Sequence, residues 1–268
     1  MTIDLPRLGF GTYKLEDPEE CVESVERAID VGYRHIDTAQ GYENEAFVGD
    51  AIENAAVPRE ELFLATKLST GNLAYEDVLE SAEASRKKLG VETIDLLYVH
   101  WPLNTYDPDE TLSALSELRE RGVIEHVGLS NFRIDQLQVA RRELDEPIFA
   151  HQVECHPLLP QERLREFAAE DGHHLVAYSP IARGELFSVP EINDVAERHD
   201  ATAAQVALAW AIEKGIYPIP KARGGHIAEN YRALALAEEL EPGEIEKIDA
   251  LEERRRLVDF EEAPWNAA

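Results

Sequence analysis

Four side chains of different acid–base character stand at or near the ends of three short apolar runs. Asp37 ends the first run, and Tyr42 follows it in a short loop. Lys67 ends the second run and His100 ends the third. If the runs are parallel strands that close into a ring, their C-terminal ends share one face. The carboxylate, phenol, ammonium and imidazole would then form a site that donates a proton.

These four groups suit the delivery of a proton to an oxygen on which negative charge develops. The ammonium of Lys67 stabilises a phenolate, so we expect the pKa of Tyr42 to be lowered. We expect Asp37 to keep Lys67 charged and in place, and His100 to donate a hydrogen bond to a carbonyl oxygen. Taken singly, each residue also fits a plain structural role, such as a helix cap, core packing or a solvated strand end.

Short apolar runs alternate with amphipathic helical stretches along the chain. The predicted strands are residues 8–10, 35–36, 62–66, 94–99, 123–129, 149–154, 175–178 and 216–219. The predicted helices are residues 18–31, 44–54, 75–89, 109–121, 133–143, 160–171, 190–199 and 202–214, and residues 226–262 are expected to be mostly helical. Repeated strand–helix units favour a parallel sheet. Eight strands favour an α/β fold of the (β/α)8 TIM barrel type, in a single domain over residues 1–268.

The charge balance is strongly acidic along the whole chain. There are 26 lysines and arginines against 54 aspartates and glutamates, a formal net charge of -28. Such a surface repels nucleic acid and anionic membranes. It favours a halophilic source, because dense carboxylates hold water while salt screens their mutual repulsion. In a chain with few lysines, Lys67 and Lys221 at strand ends are candidates for a function.

Other sequence features favour a cytoplasmic protein. Cys21 and Cys155 form no Cys-x-x-Cys pair, which indicates two free thiols in a reducing compartment. No run approaches the ~18 uncharged apolar residues of a membrane span. No signal peptide is visible at the N-terminus. We therefore expect a cytoplasmic protein that binds neither nucleic acid nor a membrane.

Several long motifs together resemble the aldo-keto reductase family, in its prokaryotic type. The resemblance extends from about residue 8 to residue 230. Its most specific segments are Gly32-Tyr-Arg-His-Ile-Asp-Thr-Ala39, Asp95-Leu-Leu-Tyr-Val-His-Trp-Pro102, Gly128-Leu-Ser-Asn-Phe132, Gln152-Val-Glu-Cys-His-Pro157 and Ala177-Tyr-Ser-Pro180. The resemblance implies a barrel enzyme that reduces a small-molecule aldehyde or ketone to an alcohol with a nicotinamide cofactor.

The resemblance also implies roles for individual residues. Tyr42 falls at the family's proton donor, with Asp37, Lys67 and His100 as its partners. The positions that resemble the family's cofactor site are Gly11, Thr12, Asp37, Ser130, Asn131, Gln152, Tyr178, Ser179, Pro180, Ile181, Gly184, Lys221, Arg223, His226, Glu229 and Asn230. Tyr13, Trp101 and Trp265 resemble aromatic walls of the substrate pocket.

The chain departs from the family pattern mainly at the adenosine end. The segment from Lys221 to Asn230 is one residue short, and it carries Ala222 for the usual serine and His226 for the usual arginine. Lys221 and Arg223 still supply cations for a 2′-phosphate, which favours NADPH, with NADH as the alternative. The segment before the first strand is too short for most of the family's N-terminal hairpin. Loops 103–109 and 182–190 are compact, which predicts a small, open pocket.

Two other functions remain open for this sequence. A barrel of the same type that binds the cofactor only as a sensor, and a phosphate-handling isomerase, are the alternatives. The motif Gly9-Phe10-Gly11 lacks the third glycine of a Rossmann fingerprint. We expect no metal at His151 and 154–156, because strand neighbours point to opposite faces. We expect a monomer, and the substrate stays open among methylglyoxal-like aldehydes, keto sugars and keto acids.

Overall fold

Eight short parallel strands lie side by side in chain order in the computed structural model, which describes residues 4–266. They are β1 Gly9–Gly11, β2 His35–Asp37, β3 Phe63–Leu68, β4 Ile94–Val99, β5 Ile124–Ser130, β6 Ala150–Glu154, β7 His174–Tyr178 and β8 Ile216–Pro218. The backbone N–H of Gly11 donates to the carbonyl oxygen of Pro220 at 3.1 Å, so the first strand meets the segment after the last. The ring is nearly closed, and the predicted (β/α)8 barrel is confirmed.

Helices follow the strands and surround the ring. They are α1 Pro18–Val31, α2 Glu45–Asn54, α3 Tyr75–Lys88, α4 Pro108–Glu120, α5 Ile134–Glu143, α6 Glu162–Asp171, α7 Pro190–Arg198, α8 Ala203–Glu213, α9 Gly225–Tyr231, α10 Ala233–Glu239 and α11 Pro242–Asp249. Short 3-10 segments cover Gln40–Tyr42, Arg59–Glu61, Ala182–Ser188 and Pro264–Asn266. Within the described residues, no helix combines the length and apolar character needed to cross a bilayer.

The prediction that residues 226–262 are mostly helical was wrong at the C-terminal end of that range. The helices after β8 stop at Asp249, and residues 250–263 contain no helix or strand. We name residues 250–266 the C-terminal tail. Backbone N–H groups of the tail donate to distant parts of the chain. The N–H of Arg255 donates to the carbonyl oxygen of Leu158 at 2.8 Å, and two further N–H groups donate to the side chain of Glu154 in β6. These distant partners satisfy backbone donors that a helix would have satisfied internally.

Local signals set the helix ends. At α1, the side chain of Asp17 accepts a hydrogen bond from the N–H of Glu20 at 2.9 Å, and Pro18 occupies the first turn. Asp17 therefore satisfies one N–H that has no partner within the helix. The helix ends at Gly32, where φ is 126° and a side chain would be strained. The predicted helix over residues 18–31 is confirmed.

Two apolar clusters hold the barrel together. The larger lies between the sheet and the helices. The smaller fills the interior of the ring and consists of Leu5, Phe63, Ala65, Leu96, Tyr98, Ala150, Val176 and Ile219. Phe63 stacks on Phe149 with ring centroids 5.7 Å apart. Leu5 is buried in this interior cluster, so the short N-terminal segment contributes to its packing.

Candidate active site

The C-terminal ends of the strands bring the predicted polar residues to one face. Asp37 ends β2, Ser130 ends β5 and Tyr178 ends β7. Lys67 lies one residue before the end of β3, and His100 follows the last residue of β4. Because all the strands are parallel, these ends share the face on which barrel enzymes carry their active sites.

Lys67 and Asp37 form a buried ion pair beside Tyr42. The Nζ atom of Lys67 lies 2.5 Å from Oδ1 of Asp37, and the two side chains are 0% and 2% exposed. The same Nζ donates to the carbonyl oxygen of Thr38 at 2.8 Å and to the hydroxyl of Tyr42 at 3.4 Å. A buried ammonium requires partners of this kind, since water no longer solvates it.

The pKa of the phenol differs from the expectation drawn from sequence. Burial, followed by the charge of Asp37 and the neighbouring Tyr13, raises the pKa of Tyr42 well above its ordinary value. Burial lowers the pKa of Lys67, while Asp37 opposes that change. The ammonium contacts Asp37 at 2.5 Å and the phenol only at 3.4 Å. The negative charge of Asp37 therefore offsets most of the effect of the ammonium on the phenol. The prediction of a lowered pKa was wrong for this state, and Tyr42 keeps its proton at neutral pH.

His100 faces the phenol as a neutral imidazole. Its ring lies 5.9 Å from the ring of Tyr42 at an interplanar angle of 79°. Burial, followed by the charge of Lys67, lowers the pKa of His100 to about 3. A neutral imidazole has one N–H donor, which can bond an oxygen placed between the two rings.

A second group of predicted residues forms one network that reaches Asp37. The Nε2 atom of Gln152 donates to Oδ2 of Asp37 at 2.8 Å, and the hydroxyl of Ser130 donates to the carbonyl oxygen of Gln152 at 2.9 Å. The hydroxyl of Tyr178 donates to Oδ1 of Asn131 at 2.9 Å. The half-buried ring of Tyr178 is therefore held by its tip, beside amide side chains.

The segment after β7 has an unusual backbone. Ser179, Ala182, Arg183 and Gly184 adopt φ values of 49°, 46°, 50° and 95°. Two N–H groups of this segment bond within it: that of Ala182 donates to the carbonyl oxygen of Ser179 at 2.8 Å, and that of Gly184 to the carbonyl oxygen of Ile181 at 2.9 Å. Pro180 and Ile181 lie between these residues, so four of the predicted cofactor positions fall in this segment.

Gly11 and Thr12 pack against neighbouring strands. A Cβ atom on Gly11 would lie 2.7 Å from the carbonyl oxygen of Ile219, so only glycine fits this contact. The hydroxyl and the N–H of Thr12 both donate to the carbonyl oxygen of Asp37 at 3.0 Å. These contacts fix the loop after β1 next to the end of β2.

The predicted adenosine end carries an ion pair that sequence reasoning missed. Nε of Arg223 lies 2.8 Å from Oε1 of Glu20, and its Nη2 donates to the carbonyl oxygen of Lys14 at 2.8 Å. Burial, followed by the charge of Arg223, lowers the pKa of Lys221. The acidic first turn of α1, directly after the loop that carries Lys14, was the available signal for Glu20.

The remaining predicted positions at this end are linked to each other or buried. Nδ1 of His226 lies 2.7 Å from Oε2 of Glu229, and Asn230 is buried. All three lie on the short helix α9.

Aromatic rings lie beside Tyr42 and His100. The ring of Tyr13 lies 5.2 Å from that of Tyr42. The ring of Trp101 lies 5.6 Å from Trp265 and 5.0 Å from Phe260. Phe260 was missed from the sequence, because the tail was expected to be helical.

In the segment 154–156, where no metal is expected, the histidine and the glutamate contact each other. Nε2 of His156 lies 3.0 Å from Oε1 of Glu154, and Cys155 is buried separately. Across residues 4–266, no three His, Cys, Asp or Glu side chains are placed to hold a metal ion.

Comparison with known proteins agrees with this geometry. The sequence model of the aldo/keto reductase family matches residues 7–253. Glyoxal reductase of Bacillus subtilis (strain 168) is 37% identical over 256 residues, 95% of this chain and 92% of that protein. Methylglyoxal reductase DkgB of Yersinia pestis is 36% identical over 260 residues, 96% of each. A solved structure of a Gox0644 variant in complex with NADPH has a TM-score of 0.88 and 30% identity, over 98% of this chain and 95% of that one. The chain therefore belongs to the aldo/keto reductase family.

Proposed function

We propose that this protein reduces small aldehydes or ketones with NADPH, and that Tyr42 donates the proton. The observation that carries the proposal is the contact of one buried ammonium with both a carboxylate and a phenol. Lys67 Nζ bonds Asp37 at 2.5 Å and Tyr42 at 3.4 Å. A structural ion pair alone would not need a phenol at the open face of the barrel.

The residues at the strand ends fit a nicotinamide cofactor. Tyr178 offers an aromatic ring as a platform, and Ser130, Asn131 and Gln152 offer the hydroxyl and amide groups that suit a carboxamide. We expect the turns after β7 to lie along the pyrophosphate. When bound, the cofactor supplies a hydride to the carbonyl carbon.

The phenol of Tyr42 holds its proton until the carbonyl oxygen gains negative charge, because its pKa is raised in the resting site. As the proton leaves, the ammonium of Lys67 stabilises the phenolate that forms. Asp37 keeps Lys67 in place. Neutral His100 donates a hydrogen bond to the carbonyl oxygen and fixes its position between the two rings.

Lys221 and Arg223 support the preference for NADPH, since cations beside a 2′-phosphate favour it. Glu20 opposes that preference because it already pairs with Arg223 at 2.8 Å. We therefore propose NADPH as the better cofactor by a modest margin, with NADH also used.

Small α-oxo aldehydes are the proposed substrates. The two relatives named above carry glyoxal and methylglyoxal in their names. The ring of Tyr13 lies 5.2 Å from that of Tyr42, and Tyr13 is 49% exposed, which suits contact with a small planar dicarbonyl.

The test is Tyr42→Phe with methylglyoxal, followed by the absorbance of reduced nicotinamide. We expect kcat to fall roughly 10²- to 10⁴-fold, the usual contribution of a positioned general acid. The dissociation constant of NADPH should stay within about twofold, because the ring is retained. Wild-type turnover in the variant would refute the role of Tyr42.

We further propose that the enzyme is adapted to high salt and is a cytoplasmic monomer. The net charge of -28 supports adaptation to high salt. Burial, followed by the charge of Glu20, raises the pKa of Cys21 to about 12, and burial raises that of Cys155 to about 12. Two buried, unreactive thiols offer no disulfide between chains. Size measurement and cell fractionation test the proposed monomer in the cytoplasm.

A further inference from the structure

Glu154 is a buried carboxylate that the proton-donating site does not use. It ends β6, two residues after Gln152, and its side chain is 0% exposed. Because strand side chains alternate, Gln152 and Glu154 lie on the same face of β6. Gln152 bonds Asp37, whereas Glu154 lies one step nearer the open end of the barrel.

The partners of Glu154 come from a distant part of the chain. Its Oε1 accepts from the N–H of Leu257 at 2.7 Å, and its Oε2 accepts from the N–H of Val258 at 2.8 Å. Nε2 of His156 lies 3.0 Å from Oε1. Burial acts to raise the pKa of Glu154, yet the bonds from His156 and the two N–H groups hold it below its ordinary value. The ionised carboxylate thus holds the middle of the C-terminal tail.

Other contacts also hold the tail: the N–H of Arg255 donates to the carbonyl oxygen of Leu158 at 2.8 Å, and Nη1 of Arg133 donates to that of Pro264 at 2.6 Å. The pair between Arg255 and Glu185 is 2.5 Å long, but each side chain is 46% exposed. Exposed pairs of this kind contribute little. A buried carboxylate that accepts two backbone N–H bonds is a stronger anchor, since its charge-assisted bonds are shielded from water.

The residues that follow the anchor reach Trp101, a predicted wall of the substrate pocket. Phe260 and Trp265 pack on Trp101, with ring centroids 5.0 and 5.6 Å away. Trp101 is the residue directly after His100, and their rings are 6.5 Å apart. Phe260 comes only two residues after Val258, so a change at the anchor alters the place of that ring.

We propose that Glu154 is a positioning residue that holds the C-terminal tail, so that Phe260 and Trp265 form the outer wall of the carbonyl pocket. This rests on the proposed function for its kinetic readout only. Loss of the anchor displaces Phe260 first, while Arg133 still bonds Pro264, and it weakens the binding of substrates large enough to touch the wall. The proton donor and the cofactor positions keep their own partners.

The experiment compares Glu154→Gln with the wild type. Glutamine has nearly the same shape, but its NH₂ group faces a backbone N–H where an oxygen accepted before. Val258→Pro tests the contact from the tail, because proline lacks the N–H donor, and it serves alone if Glu154→Gln does not fold. Glu162→Gln is the matched control: it removes a 3.7 Å pair with Arg254 of the same tail, in which the side chains are 65% and 43% exposed.

Two measurements are made on each variant. Trypsin cleavage after Arg254, Arg255 or Arg256 reports release of the tail without reference to activity. Methylglyoxal and phenylglyoxal form a matched substrate pair that differs only in a methyl or a phenyl group. We expect cleavage about tenfold faster and a KM for phenylglyoxal about tenfold higher in both test variants, as for loss of a buried hydrogen bond. The KM for methylglyoxal and both kcat values should stay within about twofold.

The outcomes separate the two proposals. Wild-type protein that reduces neither dicarbonyl refutes the proposed function, while the cleavage rates still test the anchor. Unchanged cleavage in both variants overturns the inference. Faster cleavage with equal effects on both substrates also overturns it, because Glu154 would then serve stability alone.

Discussion

The carboxylate of Asp37 joins Lys67 on one oxygen and Gln152 on the other, so Asp37 connects the proton-donating residues to the candidate cofactor network. The distances are 2.5 Å to Nζ and 2.8 Å to Nε2. All three side chains are buried. A change at Asp37 therefore affects both halves of the site.

The ion pair can be tested by charge removal. We expect Asp37→Asn and Lys67→Met each to lower the free energy of unfolding by about 3–5 kcal/mol, because each leaves an unpaired buried charge. The double variant should lose less than the sum of the two, since no buried charge remains. Each variant should lose roughly 10²-fold or more in kcat. Chemical denaturation and steady-state kinetics provide the values, and strictly additive losses would contradict a coupled pair.

Buried neutral histidines predict acid sensitivity. Burial lowers the pKa of His35 to about 4, and the pKa values of His100 and His151 to about 3, from 6.5. The unfolded chain therefore binds more protons than the folded protein below pH 6.5, and stability falls as the pH drops toward 4. Each histidine contributes up to about 1.4 kcal/mol per pH unit in this range.

The variant His151→Gln should show a shallower loss of stability between about pH 6.5 and pH 4, by up to about 1.4 kcal/mol per unit. The control is His226→Gln, because that side chain is 79% exposed. Urea unfolding at several pH values gives the slopes. A slope for His151→Gln equal to that of the wild type would show that His151 does not contribute.

The ion pair between Glu20 and Arg223 predicts that removal of the Glu20 charge strengthens the binding of NADPH. In Glu20→Gln the guanidinium no longer has an anionic partner, so it is available to a 2′-phosphate. Since both side chains are more than 40% exposed, at 41% and 47%, we expect only about a threefold lower Kd for NADPH. The Kd for NADH should not change. Fluorescence titration measures both, and Glu19→Gln in the same helical turn is the control.

The acidic surface predicts stabilisation by salt. With a net charge of -28, self-repulsion opposes the folded state at low ionic strength. Raising KCl from ~0.1 M to ~1 M shortens the Debye length from about 10 Å to about 3 Å. We expect Tm to rise by about 5 °C or more over this range. Melting curves monitored by circular dichroism test this prediction. A Tm that does not change with KCl would contradict adaptation to high salt.

The periodicity of apolar residues and the residue types predicted most strands and helices of the barrel. Buried runs such as 94–99 and stop residues such as Gly32 report their local structure, because burial and backbone conformation act over a few neighbouring residues. The grouping of Asp37, Lys67 and His100 could be expected for the same reason, since parallel strands end on one face. The helical prediction failed after Asp249, where the backbone bonds β6 instead of itself.

The sequence by itself determined the order of strands and helices and the side chains that end the strands, because these depend on patterns a few residues long. Only the tertiary structure decided that Glu154 holds Val258, that Glu20 occupies Arg223, and that the pKa of Tyr42 rises. These outcomes depend on contacts between residues far apart in the chain and on how completely each group loses water. Both follow from closing the ring, and no local pattern encodes them.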